Sequence, residues 1–149
     1  MVAATDRYQA SLRIEREIQI AAPLQAAYEA LVEQLGPGAE MPDGASMAMK
    51  FEAWPGGRWF RDLGNDAGHL WGHVQVIKPP KLIEISGPLF MSYPAVSHLQ
   101  YRLVEQGGET TLKFVHRAIG ELDPEHCEGV QMGWDDQLQR VKRRAEKRS

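Results

Sequence analysis

Residues 96–118 read VSHLQYRLVEQGGETTLKFVHRA, two alternating runs meeting at Gly107-Gly108. A two-residue loop at these glycines pairs Leu103 with Leu112, Tyr101 with Phe114 and Leu99 with His116. In that register the apolar side chains of both runs share one face, while Arg102 meets Lys113 and Gln100 meets Val115 on the other. Turn chemistry and period-two alternation agree, which predicts an antiparallel hairpin with one buried face. Asp123-Pro124-Glu125 then starts a long helix, with Asp123 as N-cap and Pro124 in the first turn. Val130, Trp134, Leu138 and Val141 recur at helical spacing and form the stripe that must lie on the sheet.

Upstream, residues 12–20 alternate Leu12, Ile14, Ile18 and Ile20 with charged residues, as a half-buried strand does. Pro23 is expected to open a helix with Leu24, Ala27, Tyr28, Leu31 and Leu35 inward, ended by Gly36-Pro37-Gly38. Residues 38–45 read as loop, 47–53 as strand, and Pro55-Gly56-Gly57 as a turn. Around Pro79-Pro80 a four-residue connection pairs Ile77 with Leu82, Val76 with Ile83 and Val74 with Ile85, which sets Gly72 opposite Gly87. That glycine pair either leaves a void over the sheet or serves a bend in it. Strand, helix, about six strands and a final helix is an α+β order.

One domain spanning 1–149 is the expectation, long enough to bury a core without metal or disulfide. The single cysteine, Cys127, suits a reducing compartment, so the cytoplasm is the expected location. Asp6, Arg7, Arg13, Glu15, Arg16 and Glu17 break any apolar leader, and no uncharged run is long enough to span a bilayer. The net charge of −3 conceals a basic end, with +5 on residues 137–149 and −8 on the rest. Cations there complement the helix dipole, and no nucleic-acid-reading motif accompanies them.

Three segments carry a family resemblance. Trp54-Pro55-Gly56-Gly57-Arg58-Trp59, Thr110-Thr111-Leu112-Lys113-Phe114-Val115-His116, and His126, Gly133 and Trp134 on the last helix resemble the AHSA-type branch of the START-like (SRPBCC) superfamily over residues 12–146. The resemblance implies a helix-grip fold: a curved antiparallel sheet of six to seven strands around a long C-terminal helix, with a ligand cavity between them. The chain departs from the family pattern after the first helix. A tryptophan common there is absent, and the Gly- and Pro-rich segment Glu33 to Ala45, the expected lid, takes its place with Tyr28 supplying packing.

Histidine spacing argues against a metal site. His69 and His73 are four apart in a strand, hence about 13 Å apart, and His98 and His126 have no partner at ligand spacing. His116 faces inward beside Leu99, where a core histidine bonded to a neighbour is twice as common as a ligand contact. No Gly-x-Ser-x-Gly elbow or Gly-Lys-Ser/Thr loop occurs, and acids flank Cys127, so nucleophilic catalysis and nucleotide binding have no motif. Acid or base work in a cavity would draw on Asp62, His69, His73, Glu84 or His116; Asp62 opposite His69 reads instead as a surface ion pair.

The leading expectation is a protein that binds a small hydrophobic or amphipathic molecule, without resident cofactor or metal. Its cavity would be lined by Met49, Phe51, Trp59, Tyr101, Phe114, His116 and Trp134, together with Tyr28 and Leu138. A chaperone-associated module and a cavity cyclase or hydrolase are the alternatives the resemblance carries, and a homodimer stays open. Labelled duplex and single-stranded nucleic acid should give no specific complex in fluorescence anisotropy; sub-micromolar binding that weakens steeply with salt would overturn the reading of the basic end.

Overall fold

The computed structural model describes residues 8–148; Asp6 and Arg7, used above against a leader, lie outside them. Its elements run β1 (Gln9–Ile20), α1 (Leu24–Leu35), β2 (Met49–Phe51), β3 (Arg58–Gly64), β4 (Ala67–Lys78), β5 (Leu82–Gly87), β6 (Ala95–Gln106), β7 (Glu109–Leu122) and α2 (Pro124–Arg148). The strands form one antiparallel sheet in the order β1-β7-β6-β5-β4-β3-β2. With α2 lying along its inner face and α1 after the first strand, this is the helix-grip fold.

The β6–β7 hairpin has the register expected of it, with Leu103↔Leu112, Tyr101↔Phe114 and Leu99↔His116. All six of these residues are buried, and β5 extends the row with Ile83↔Tyr101 and Ile85↔Leu99. The α2 stripe of Val130, Trp134, Leu138 and Val141 packs over this row and is lengthened by Ala145. Asp123 Oδ1 accepts the Glu125 N–H at 3.0 Å, so the cap forms as its residue types dictate.

The hairpin motifs act as braces. Arg58 donates to the Glu52 carboxylate from its backbone N–H, Nε and Nη2 at 2.8, 2.9 and 2.8 Å. Gly57 is required beneath that clasp, since a Cβ there would lie 1.9 Å from the Glu52 carbonyl oxygen. Thr110, fully buried, donates to the Ala22 carbonyl at 2.9 Å and ties β7 to the entry of α1.

Several local expectations are corrected. Pro23 is the N-cap of α1, extended at φ −63 and ψ 159, and the helix begins one residue later. Strand β2 is only Met49–Phe51, because Ala48 takes φ 56 and Ser46 bridges to Glu40 instead. The Pro79-Pro80 connection spans three residues, closed by Lys81 N–H to Lys78 O at 2.8 Å, so Lys78 pairs with Leu82 and Ile77 with Ile83. A bulge between Val74 and Val76 absorbs the difference and restores Val74↔Ile85. Gly72 and Gly87 leave no void: a Cβ on Gly87 would stand 2.5 Å from the Gly72 Cα, so the pair permits close backbone approach. Asp62 faces Gly68, not His69, and its carboxylate pairs with Lys50 at 2.9 Å.

The basic end of α2 is engaged by the body of the fold. Arg144 Nη2 donates to the Gly38 carbonyl at 3.1 Å, Lys142 bonds Gln19 O and Glu146 at 2.6 and 2.7 Å, and Arg148 reaches Glu29 at 3.3 Å. Trp134 lies at the centre of the helix–sheet contact, 4% exposed. Trp134→Ala should lower unfolding free energy by about 3–5 kcal/mol in urea titration; a loss below about 1 kcal/mol would show that the helix does not depend on it.

Candidate functional site

The α2 stripe covers the β5–β7 side of the inner face. Over β2, β3 and β4 a cavity of about 440 Å³ remains, bounded by α2, by the 39–47 segment after α1 and by Phe90. Each wall residue has a local reason for its position. Trp59 stands on β3, almost fully buried, and its Nε1 donates to the Leu35 carbonyl at 2.8 Å, satisfying an orphan acceptor at the end of α1.

Trp71 would point away from Trp59 in regular alternation. A bulge intervenes, because Trp59 pairs with Gly72 and Phe60 with Leu70. The extra residue turns inward and meets Trp59 edge to face at 5.0 Å between centroids. Phe90 is aimed by Leu89, a fully buried leucine at φ 56 whose N–H donates to the Trp71 carbonyl at 2.7 Å. Such a conformation costs a bulky residue about 1–2 kcal/mol, and here it places the Phe90 ring between Trp71, His126 and Trp134, at 5.4, 5.7 and 5.7 Å.

From α2 the cavity receives one helical stripe, including His126, Gly129, Gly133, Gln137 and Arg140. His126 is set by Tyr93, whose hydroxyl lies 2.6 Å from its Nδ1. Burial pushes the Tyr93 phenol up, so it stays neutral. Arg140 closes the rim, bonded to Asp136 at 2.8 Å and to Glu40 of the opposite segment at 3.1 Å. That ion pair lies at the surface and contributes at most about 1 kcal/mol.

Of the expected wall residues, Met49, Trp59 and Trp134 line this cavity. Phe114, Tyr101 and His116 lie outside it, buried in the core under α2, where Leu138 of α2 packs as well, and Tyr28 and Phe51 pack against that core from α1 and β2. Tyr101 donates to Gln137 Oε1 at 2.8 Å, and burial raises its phenol strongly. His116 is fully enclosed: Trp134 Nε1 donates to its Nδ1 at 2.9 Å, so the neutral ring carries its proton on Nε2, facing Ser97 Oγ at 2.9 Å. Asp62, His69, His73, Glu84 and His116 do not line the cavity. Glu84 is held on the outer face by His98 and Gln100, at 3.2 and 3.1 Å. Cys127 lies apart with Met91, Ala118 and Leu122, its thiol pushed up chiefly by burial. Among the described residues no three His, Cys, Asp or Glu side chains gather as a metal site.

Trp71, Phe90, Gly129 and Arg140 were not among the expected wall residues, and neither was His126, which entered the sequence analysis only through the family resemblance and the metal question. The glycines alone gave a signal, since two glycines four apart inside a helix lower its stability without a backbone reason.

Residues 43–146 match the family model described as Activator of Hsp90 ATPase homolog 1-like protein. The chain belongs to this family. Its placement in the AHSA-type branch of the START-like superfamily agrees with solved structures of the same fold. CalU16 from Micromonospora echinospora superposes with a TM-score of 0.59 at 22% identity, covering 89% of this chain and 71% of that one. MLL2253 from Mesorhizobium loti gives 0.65 at 17%, covering 93% and 99%. Ara h 8.0201 gives 0.64 at 12%, covering 91% and 97%. No curated protein matches the sequence. Among the described residues no helix of this AHSA-type chain is long and apolar enough to cross a membrane.

Burial lowers the His116 pKa from 6.5 to about 4. Between those values the unfolded chain binds a proton that the folded chain does not. The His116 contribution to stability should therefore be full above about pH 6.5, fall as pH drops through that window, and be exhausted near 4, where carboxylates held low by cations, such as Glu52 beside Arg58, begin a separate loss. The loss from His116 should be on the order of 3 kcal/mol. Urea titrations at pH 7 and pH 4.5 check this against His116→Gln, which should be less stable at pH 7 but should lose less between the two.

Proposed function

We propose that this AHSA-type domain binds a small apolar or aromatic molecule in the cavity between α2 and β2–β4. The observation that carries the reading is the glycine pair on α2. Gly129 and Gly133 line the cavity, and a Cβ added to either meets nothing within 4 Å. Each glycine costs a helix interior about 0.5–1 kcal/mol relative to alanine. No close approach requires them, so the space they keep is what explains them. The aromatic walls and polar rim have the make-up of a small-molecule site, and the volume lies in the usual range of such sites.

The reading takes residues 1–149 as one cytoplasmic domain without resident metal or cofactor. Chaperone association, which the family description raises, is the competing function, and a pull-down against a chaperone ATPase separates the two.

The neutral probe N-phenyl-1-naphthylamine should bind and gain fluorescence. Gly133→Phe should weaken it at least roughly tenfold by occupying the space, without loss of stability. Gly133→Ala should raise stability by about 0.5–1 kcal/mol. Lys113→Ala, on the solvent side of β7, should change neither. Unchanged probe affinity in Gly133→Phe would defeat the reading.

A further inference from the structure

One donor in the cavity wall has no acceptor. Trp59 Nε1 bonds Leu35 O and Trp134 Nε1 bonds His116 Nδ1, but the Trp71 indole Nε1 is shielded from solvent and has no hydrogen-bond partner. Buried N–H groups are rarely left so. Around it stand rings, Trp59 at 5.0 Å, Phe90 at 5.4 Å and His69 at 6.3 Å between centroids, all edge to face, which offer at most a weak N–H to π contact. Trp59 is locked by its own hydrogen bond and by burial, and His69 is on strand β4. Phe90 differs, being half-buried on the connection between β5 and β6.

Resting on the ligand-binding reading, we propose that the ligand is an aromatic molecule with a neutral carbonyl oxygen, a ketone, ester or quinone, that accepts from Trp71 Nε1 when the Phe90 ring swings aside. The rings of Trp59, Trp71 and Trp134 supply stacking surfaces for its body. Neutrality follows from the rim. Arg140 is already bonded to Glu40 and Asp136, so two carboxylates outweigh one guanidinium and an anionic ligand meets net repulsion. Phe90 gates the donor, because its half-buried ring stands between Trp71 and the α2 side of the cavity.

The test uses two near-isosteric probes, 2-acetylnaphthalene and 2-isopropenylnaphthalene, which exchange C=O for C=CH2, against the full ¹⁵N-labelled chain with the Trp71 indole resonance assigned through bonds. Both should shift cavity resonances. The ketone alone should move the Trp71 Nε1–H resonance downfield, and it should bind roughly tenfold more tightly although water solvates it better. In Trp71→Phe both probes should weaken through lost ring surface, but the preference for the ketone over the alkene should fall to about twofold or less. Phe90→Ala should speed ketone association and keep the preference. Equal affinities with an unmoved Trp71 resonance, while other cavity resonances shift, would overturn this proposal and leave the cavity reading standing; no shift with either probe would end both. Tighter binding of 2-naphthoate than of the ketone would overturn the neutral acceptor, and an unchanged association rate in Phe90→Ala would overturn the gate.

Discussion

The hydrogen bond from Trp134 Nε1 to His116 Nδ1 joins the long helix to the floor of the sheet, and the remaining geometry is arranged around it. It lies in a fully buried place, where its strength is undiluted by water. Because it fixes both the rotation of α2 and the tautomer of His116, it determines which helix face meets Phe114, at 4.9 Å between centroids, and which face is left over. That leftover face is the cavity wall. Trp134 thus has two surfaces with different duties, one closing the core and one facing the space beside Phe90.

Around that space the local rules of stable folding are broken repeatedly. Two glycines sit inside a helix, a bulge interrupts β4 at Trp71, a buried leucine takes a left-handed backbone, and an indole N–H lacks an acceptor. Each feature is unfavourable by itself. Their convergence on one cavity is the pattern expected when a fold gives up stability at a functional site and recovers it in the well-packed half of the core. The β5–β7 half is that recovered part, with Leu99, Tyr101, Leu112 and Phe114 essentially inaccessible to solvent.

Charge is distributed with the same division. The acidic body and basic helix end, evident as −8 against +5 in composition, meet across the structure: Arg140 with Glu40, Arg148 with Glu29, and Lys142 with the carbonyl of Gln19. Each exposed pair contributes little energy. Arg140 on Glu40 and Arg144 on the Gly38 carbonyl hold the 38–47 segment over the cavity rim. A weakly held cover of this kind can open at small cost, as the proposed binding of a ligand would need.

Most of the fold was legible in the chain because it rests on local periodicity. The two-residue Gly107-Gly108 loop and strict alternation defined the register of β6 and β7, the Asp123-Pro124 cap defined the start of α2, and helical spacing defined its buried stripe. The cavity was not legible in the same way. Placing Tyr101, Phe114 and His116 inward was correct, yet the helix covers that half of the sheet, so those side chains became floor. Trp71 and Phe90 entered the wall through a bulge and a left-handed residue, which break the period that sequence reading depends on. His126 and Arg140 acquired roles through Tyr93 and Glu40, 33 and 100 residues away. The sequence by itself determined which faces are apolar, since that depends on neighbours a few residues apart; the tertiary structure decided which apolar face is packed and which is left open, since that depends on sheet curvature and on contacts between distant segments.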